Sequence, residues 1–192
     1  ILSSIITGTN LSCFGSNNGS ATAIASGGTP PYIYLWDDSL AQTTSTANGL
    51  TVNPYTCIVT DANGCVFTTP SVTITQPSVL SASITSTNVS CFGGSDATAI
   101  VNSVGGNSGY SYVWSNGSNA NVLNGLSAGT YSVSVTDAIG CTGNQSVTIT
   151  APTILSSIIT GTNLSCFGSN NGSATAIASG GTPPYIYLWD DS

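Results

Sequence analysis

The stretch Leu126-Ser127-Ala128-Gly129-Thr130-Tyr131-Ser132-Val133-Ser134-Val135 alternates apolar and polar residues from Tyr131 onward, with a glycine turn signal just before it. A period of two puts successive side chains on opposite faces of a strand, so this run predicts a half-buried β-strand. Tyr110-Ser111-Tyr112-Val113-Trp114, Ser71-Val72-Thr73-Ile74-Thr75 and Ser146-Val147-Thr148-Ile149-Thr150 alternate in the same way. No stretch carries a capped, amphipathic 3.6-residue pattern.

Turn signals separate these runs at intervals of about 8–12 residues, at Asn18-Gly19, Gly27-Gly28, Asn48-Gly49, Asn63-Gly64, Asn116-Gly117 and Asn124-Gly125. Six or seven short strands in so little chain predict an all-β fold of tandem immunoglobulin-like antiparallel sandwiches. Trp114, Tyr112, Val133 and Val135 are the expected core of one sandwich, and Trp36, Tyr34 and Cys57 that of another. Leu126-Ser127-Ala128-Gly129-Thr130-Tyr131 resembles the corner of immunoglobulin-like sandwiches, in which a tyrosine hydroxyl bonds back to nearby backbone, and Leu50-Thr51-Val52-Asn53-Pro54-Tyr55 is its counterpart.

The same landmarks recur. Cys13-Phe14-Gly15 returns as Cys91-Phe92-Gly93 and Cys166-Phe167-Gly168, each followed by a Gly-Gly pair and a Tyr-x-Tyr-x-Trp segment ending at Trp36, Trp114 or Trp189. Asp61-Ala62-Asn63-Gly64-Cys65 returns as Asp137-Ala138-Ile139-Gly140-Cys141. Residues 154–192 repeat residues 1–39 without a change. The expected organisation is a repeat at 1–76, a diverged repeat at 77–151, and the start of a further copy of the first at 152–192. The joints fall at Gln76-Pro77-Ser78 and Ala151-Pro152-Thr153. Short, proline-containing joints imply stiff connections, and the third copy reads as part of a longer array.

Composition removes whole classes of function. The chain has 192 residues, no Lys, Arg or His, seven Asp as its only acidic residues, and a formal charge of −7. Only 4% of residues are charged, against about 25% in an average domain. Ser–His and Cys–His nucleophile pairs, His-ligated metal sites and lysine Schiff bases cannot be built. No cation is available to neutralise phosphate, which argues against nucleic acid and anionic membrane surfaces. Apolar runs are far shorter than the roughly 18–20 residues needed to span a bilayer. At 40% hydrophobic, the chain still has enough apolar residues for a packed core.

Six cysteines point to an oxidising, extracellular setting. Equivalent positions suggest pairing within each repeat, Cys13 with Cys65 and Cys91 with Cys141. Closing a loop of roughly 50 residues would stabilise by about 4 kcal/mol in the chain-entropy model. Cys57 aligns with Val133 and reads as a small buried hydrophobe. Pairing of Cys57 with Cys13 or Cys65 stays open, and a metal site lacks any CxxC or His.

Asp61 and Asp137 read as Asx-turn residues. Calcium would need several clustered oxygens, and there is no D-x-D-x-D loop. The Asp37-Asp38 pair follows a strand and reads as a solvated turn rather than a glycosidase-type carboxylate pair. Asp38-Ser39-Leu40 resembles a short bacterial O-glycosylation signal, which makes Ser39 a glycosylation candidate. The Asn-x-Ser sequons at Asn10, Asn18, Asn88, Asn116 and Asn144 are expected by chance in so serine-rich a chain.

The combined run Val89-Ser90-Cys91-Phe92-Gly93-Gly94-Ser95-Asp96, Gly105-Gly106, Tyr110 to Gly117, Leu126 to Tyr131 and Val135 to Cys141 resembles the SprB repeat. The first repeat resembles it too, through Gly27-Gly28-Thr29-Pro30-Pro31-Tyr32 and Trp36, while lacking Ala-Gly-Thr before Tyr55 and carrying the additional Cys57. The resemblance implies tandem repeats of large Bacteroidota surface proteins, including gliding-motility adhesins exported by type IX secretion, with no catalytic residues and no cofactor. The expected role is a non-enzymatic extracellular fibre, stalk or filament, whose partners are neighbouring repeats of its own kind. The alternative is an adhesin module whose loops, near Trp36 and Trp114, contact carbohydrate or a surface.

Overall fold

A computed structural model describes residues 1–190. It divides into two compact units: Ile1–Ser81 with Ser103–Ser111 and Val135–Gly143, and Ala82–Asn102 with Tyr112–Ser134 and the chain from Asn144 on.

In the first repeat, alternation becomes strands β1 (Ser3–Thr9), β2 (Gly19–Ser26), β3 (Ile33–Trp36), β4 (Thr46–Leu50), β5 (Asn53–Tyr55), β6 (Cys57–Thr60), β7 (Val66–Thr68) and β8 (Val72–Ile74). They form antiparallel sheets in the orders β1-β2-β4, β3-β6-β7 and β5-β8. One face of β2 and one face of β6 are buried. Gly19, Ala21 and Ala23 point inward from β2, and Cys57 and Val59 from β6, while Ile58 between them is exposed. With Trp36, Ala47, Leu50, Tyr55 and Ile74 they make one core. Small residues set its thickness. A Cβ on Gly8 would come within 2.8 Å of Ile74 Cδ1, and one on Gly19 within 2.8 Å of Ile74 Cγ2, so two glycines make the slot that Ile74 fills.

The second repeat carries β9 (Ser81–Ser86), β10 (Ala97–Val104), β11 (Ser111–Trp114), β12 (Val122–Leu126), β13 (Gly129–Thr136) and β14 (Thr142–Ile149), in sheets ordered β12-β10-β9 and β11-β13-β14. Where β13 is continuous, the first repeat has β5 and β6 separated at Thr56. Pro54, in the middle of β5 two residues before this break, stands in place of Thr130, and its ring fixes φ and removes a backbone N–H. A final hairpin joins β15 (Ser156–Thr162) and β16 (Ser173–Ser179).

The expected class holds: among the described residues the fold is all-β, without helices, built from antiparallel immunoglobulin-like sheets. Trp36 and Trp114 are each 2% exposed, and their indole N–H groups donate to Thr44 O and Ala120 O, both at 2.8 Å. Val133, Val135 and Cys57 are buried as expected, whereas Tyr34 and Tyr112 are half-buried. The corner tyrosines form, with Tyr131 Oη donating to Ser127 O (3.1 Å) and Tyr55 Oη to Thr51 O (3.3 Å). No helix among the described residues is long and apolar enough to cross a membrane.

Candidate functional site

Each repeat presents chemistry at two poles. At the first, the loop after β1 carries Cys13. Asn18 shapes it: its Oδ1 accepts from Ser12 N (3.2 Å) and Ser16 Oγ (2.8 Å), and its Nδ2 donates to Ser12 Oγ (2.7 Å). Gly15 N donates to Gln76 Oε1 at 2.8 Å, tying the loop to the end of the repeat. In the second repeat Asp96 takes the place of Asn18 and accepts from Ser90 N at 3.0 Å. The Ser90 side chain, then its backbone, hold the Asp96 carboxyl below its ordinary value.

At the other pole a Gly-Gly turn meets the Asp-x-x-Gly-Cys turn. Asp137 Oδ1 accepts from Ile139 N (3.0 Å) and Cys141 N (2.9 Å), and Oδ2 from Asn107 N (2.8 Å). Asp61 repeats the pattern with Asn63 N, Cys65 N and Thr29 N. Both carboxylates are buried. The chain has no cation to pair with them, so backbone N–H groups supply the compensating charge. The Asn107 N–H chiefly holds Asp137 down at about 2, against the desolvation that raises it; Asp61 is lowered first by the Thr29 N–H. Glycine is required opposite them. Gly106 has φ +58°, and a Cβ there would lie 2.7 Å from Asp137 Oδ2; Gly28, at +60°, stands equally close to Asp61.

The two poles meet at a junction. Cys13 of the first repeat forms a disulfide with Cys141 of the second, with a Cα–Cα distance of 5.7 Å, and Asn107 Nδ2 donates to Ser12 O at 3.1 Å beside it. The expected pairing of Cys13 with Cys65 and of Cys91 with Cys141 is corrected. The Cys13 loop follows the end of β1 at Thr9, whereas the Cys65 turn packs beside Thr29, beyond the opposite end of the β1–β2 hairpin. The length of β1 separates the two by roughly 20 Å, too far for a bridge. Spacing alone could not reveal this, because Cys65 and Cys141 hold the same position in their repeats. Cys65, Cys91 and Cys166 are exposed free thiols, and Cys57 is a buried one. Burial pushes the Cys57 thiol up, and no bridge involves it.

The remaining candidate positions lie outside this junction. Ser39 is exposed in the turn after β3. Asp37 accepts from Thr56 N (2.9 Å) and Thr56 Oγ1 (2.8 Å), while Asp38 accepts from Gln42 N (2.9 Å) and Gln42 Nε2 (3.0 Å). Burial raises the Asp38 carboxyl, but the Gln42 and Leu40 hydrogen bonds outweigh it and leave it lowered. The pair therefore caps a turn, with each carboxylate committed to its own partners. Among the described residues no group of three Cys or Asp converges as a metal site would require.

The hairpin, the Cys-Phe-Gly loop and the Gly-Gly turn have a counterpart among known families. A family model described as SprB repeat matches residues 5–41, 83–119 and 158–192, together more than half of the chain. The chain belongs to the SprB-repeat family. SprB repeats are surface-associated modules of adhesin-like proteins, and the three matches begin at equivalent points of the three copies. No curated protein matches the chain. Solved structures similar to it include an amphioxus IgVJ-C2 molecule, at 13% identity with 75% of this chain and 96% of that one covered and a TM-score of 0.31. Murine CEACAM1b is similar at 12% identity, covering 79% of this chain and 100% of that one, also with a TM-score of 0.31.

Proposed function

We propose that this SprB-repeat chain is a non-enzymatic, extracellular building block of a long bacterial surface fibre or stalk, exported as the family implies by type IX secretion. The observation that carries the reading is the Cys13–Cys141 bridge, which fastens one repeat to the next rather than closing a repeat on itself. A module that only displayed a binding loop would need its staple inside the fold. An array that transmits tension needs it across the joint. Trp36 and Trp114, the aromatic side chains an adhesive loop would have offered, are committed to the cores. The absence of Lys and Arg leaves no trypsin-type cleavage site on an exposed fibre. Lateral packing of neighbouring repeats, whose strand edges carry no lysine, would extend the assembly.

Immunogold labelling of the native cell surface with an antibody against the repeat tests this. Label at regular intervals along extended fibres is the expected result. Label confined to fibre tips, or scattered without fibres, would overturn it in favour of an adhesin.

A further inference from the structure

We propose that Cys91 and Cys65 are the two halves of further bridges of the Cys13–Cys141 kind. Cys91 takes the Asp-x-x-Gly-Cys cysteine of a repeat that follows, and Cys65 the Cys-Phe-Gly cysteine of a repeat that precedes, so that every joint of an array is covalently closed. The inference does not depend on the fibre reading, since an adhesin stalk could be closed in the same way.

Three observations put Cys91 in a half-built junction. Cys91 holds the position of Cys13, and Cys65 that of Cys141. The contact beside the existing bridge is already made a second time: Thr182 Oγ1 donates to Ser90 O at 3.2 Å, as Asn107 Nδ2 does to Ser12 O. Thr182 follows Gly180-Gly181 just as Asn107 follows Gly105-Gly106, and Gly181 N donates to Thr153 O (2.8 Å) as Gly106 N does to Ser78 O (2.9 Å). Finally, a cavity of about 500 Å³ opens beside Cys91, lined by Phe92, Ile154, Leu155 and Thr182. The occupant is the Asp-x-x-Gly-Cys turn of a complete repeat: at the first junction that turn is tied by Asp137 to Asn107, the residue equivalent to Thr182.

Bridge formation breaks two S–H bonds and makes one S–S bond. Two electrons and two protons pass to a disulfide oxidant such as oxidised glutathione, which leaves as two thiols.

The test lengthens the full chain by residues 40–76 placed after Ser192, so that the third copy carries everything the first has. The chain is oxidised with glutathione, alkylated while folded, and mapped with chymotrypsin. Accessible thiols fall from the three of the starting chain to two, and Cys91 is recovered joined to the appended copy of Cys65. A rise to four, with Cys91 alkylated, overturns the proposal, as does Cys91 joined to Cys141. Cys57, buried only when the repeat is folded, resists alkylation and reports on folding in the same sample. The mirror experiment places residues 77–153 before Ile1 and asks whether Cys65 becomes protected; its continued reactivity would overturn the second half of the proposal.

Discussion

Residues 1–39 and 154–192 share one sequence in two surroundings. In both, the first hairpin forms in the same register, Ser3 opposite Ser26 and Ser156 opposite Ser179. The cysteine loop forms in both, with Asn171 bonding to Ser165 as Asn18 does to Ser12. Beyond the hairpin the copies part. Ile33–Trp36 is a strand paired with β6, whereas the equivalent residues 186–189 are not in a strand. Trp36 is 2% exposed and Trp189 46%; Leu2 is 7% exposed and Leu155 60%. Hairpin and loop thus form from the residues between Ser3 and Ser26, or Ser156 and Ser179, alone. The third strand and the core need β4, β6 and β8, which the first copy has beside it.

Cutting the junction should separate the two surroundings most strongly. The Cys13–Cys141 bridge has a sequence separation of 128. Opening so long a loop with Cys13→Ser is expected to cost up to about 5 kcal/mol by chain entropy. Cys166→Ser, in the same local sequence, should leave the denaturation midpoint unchanged. Pulling the chain by its ends reads the same bridge as a length. The oxidised chain should reach full extension on the order of 400 Å short of the reduced one, because the loop between the two cysteines is shielded from force. A difference on the order of 170 Å would place the bridge within one repeat, and equal extension in the two states would mean that no bridge had formed. Next in size, Trp36→Ala should cost about 3–5 kcal/mol in urea unfolding followed by circular dichroism, since it empties a packed site. Trp189→Ala should cost close to nothing, and equal costs would show that the third copy has a core of its own.

What could be read in advance follows the same division. Alternation marked the faces of β8, β11, β13 and β14, and local spacing marked the Tyr55 and Tyr131 corners and the Asp61 and Asp137 turns. These depend on residues no more than a few positions apart. The cysteine partner did not, because repetition makes Cys65 and Cys141 equivalent in spacing and only the placement of the poles separates them. Nor did the Gly8–Gly19–Ile74 slot, in which Ile74 arrives from the far end of the repeat. Tyr34 and Tyr112 face the expected side but are half-buried, whereas Trp36 and Trp114, two residues on along the same face of β3 and β11, are buried. Alternation reports a face; it does not report depth.

The Ile74 slot gives a smaller test. In the first copy a Cβ on Gly8 would press against Ile74 and Val72, so Gly8→Ala is expected to destabilise by about 1–3 kcal/mol through overpacking. In the third copy a Cβ on Gly161 would meet only Ser173 O, at 3.2 Å. Gly161→Ala should therefore fall within about 0.5 kcal/mol of the parent. Equal costs in urea unfolding would show that the hairpin, not the slot, rejects the methyl group.

Acid provides a test confined to the complete poles. Asp137 titrates at about 2 when folded, against 3.8 for the ordinary group. A depressed carboxyl contributes stability that is fully present above the unfolded value and is lost as pH falls through the folded one. Stability should therefore decline between about pH 4 and pH 2, and Asp137→Asn should flatten that decline. A decline unaltered by the substitution would remove Asp137 from the junction's support.

The smallest effect concerns what the two copies share. Tyr32 Oη donates to Gly27 O at 2.6 Å, and Tyr185 Oη to Gly180 O at 2.5 Å, each across one turn. Because both partners lie in one turn, this bond should be indifferent to whether a core stands behind it. Tyr32→Phe and Tyr185→Phe should each weaken the turn by about 0.5–1.5 kcal/mol, the net value of one hydrogen bond. The carbonyl-carbon chemical shifts of Gly27 and Gly180, the two acceptors, read this turn by turn, and equal changes in the two copies are expected. If only the Tyr32 turn loosened, the turn in the first copy would owe its geometry to the sandwich around it, and the line between local and long-range specification would have to move back toward the β1–β2 hairpin.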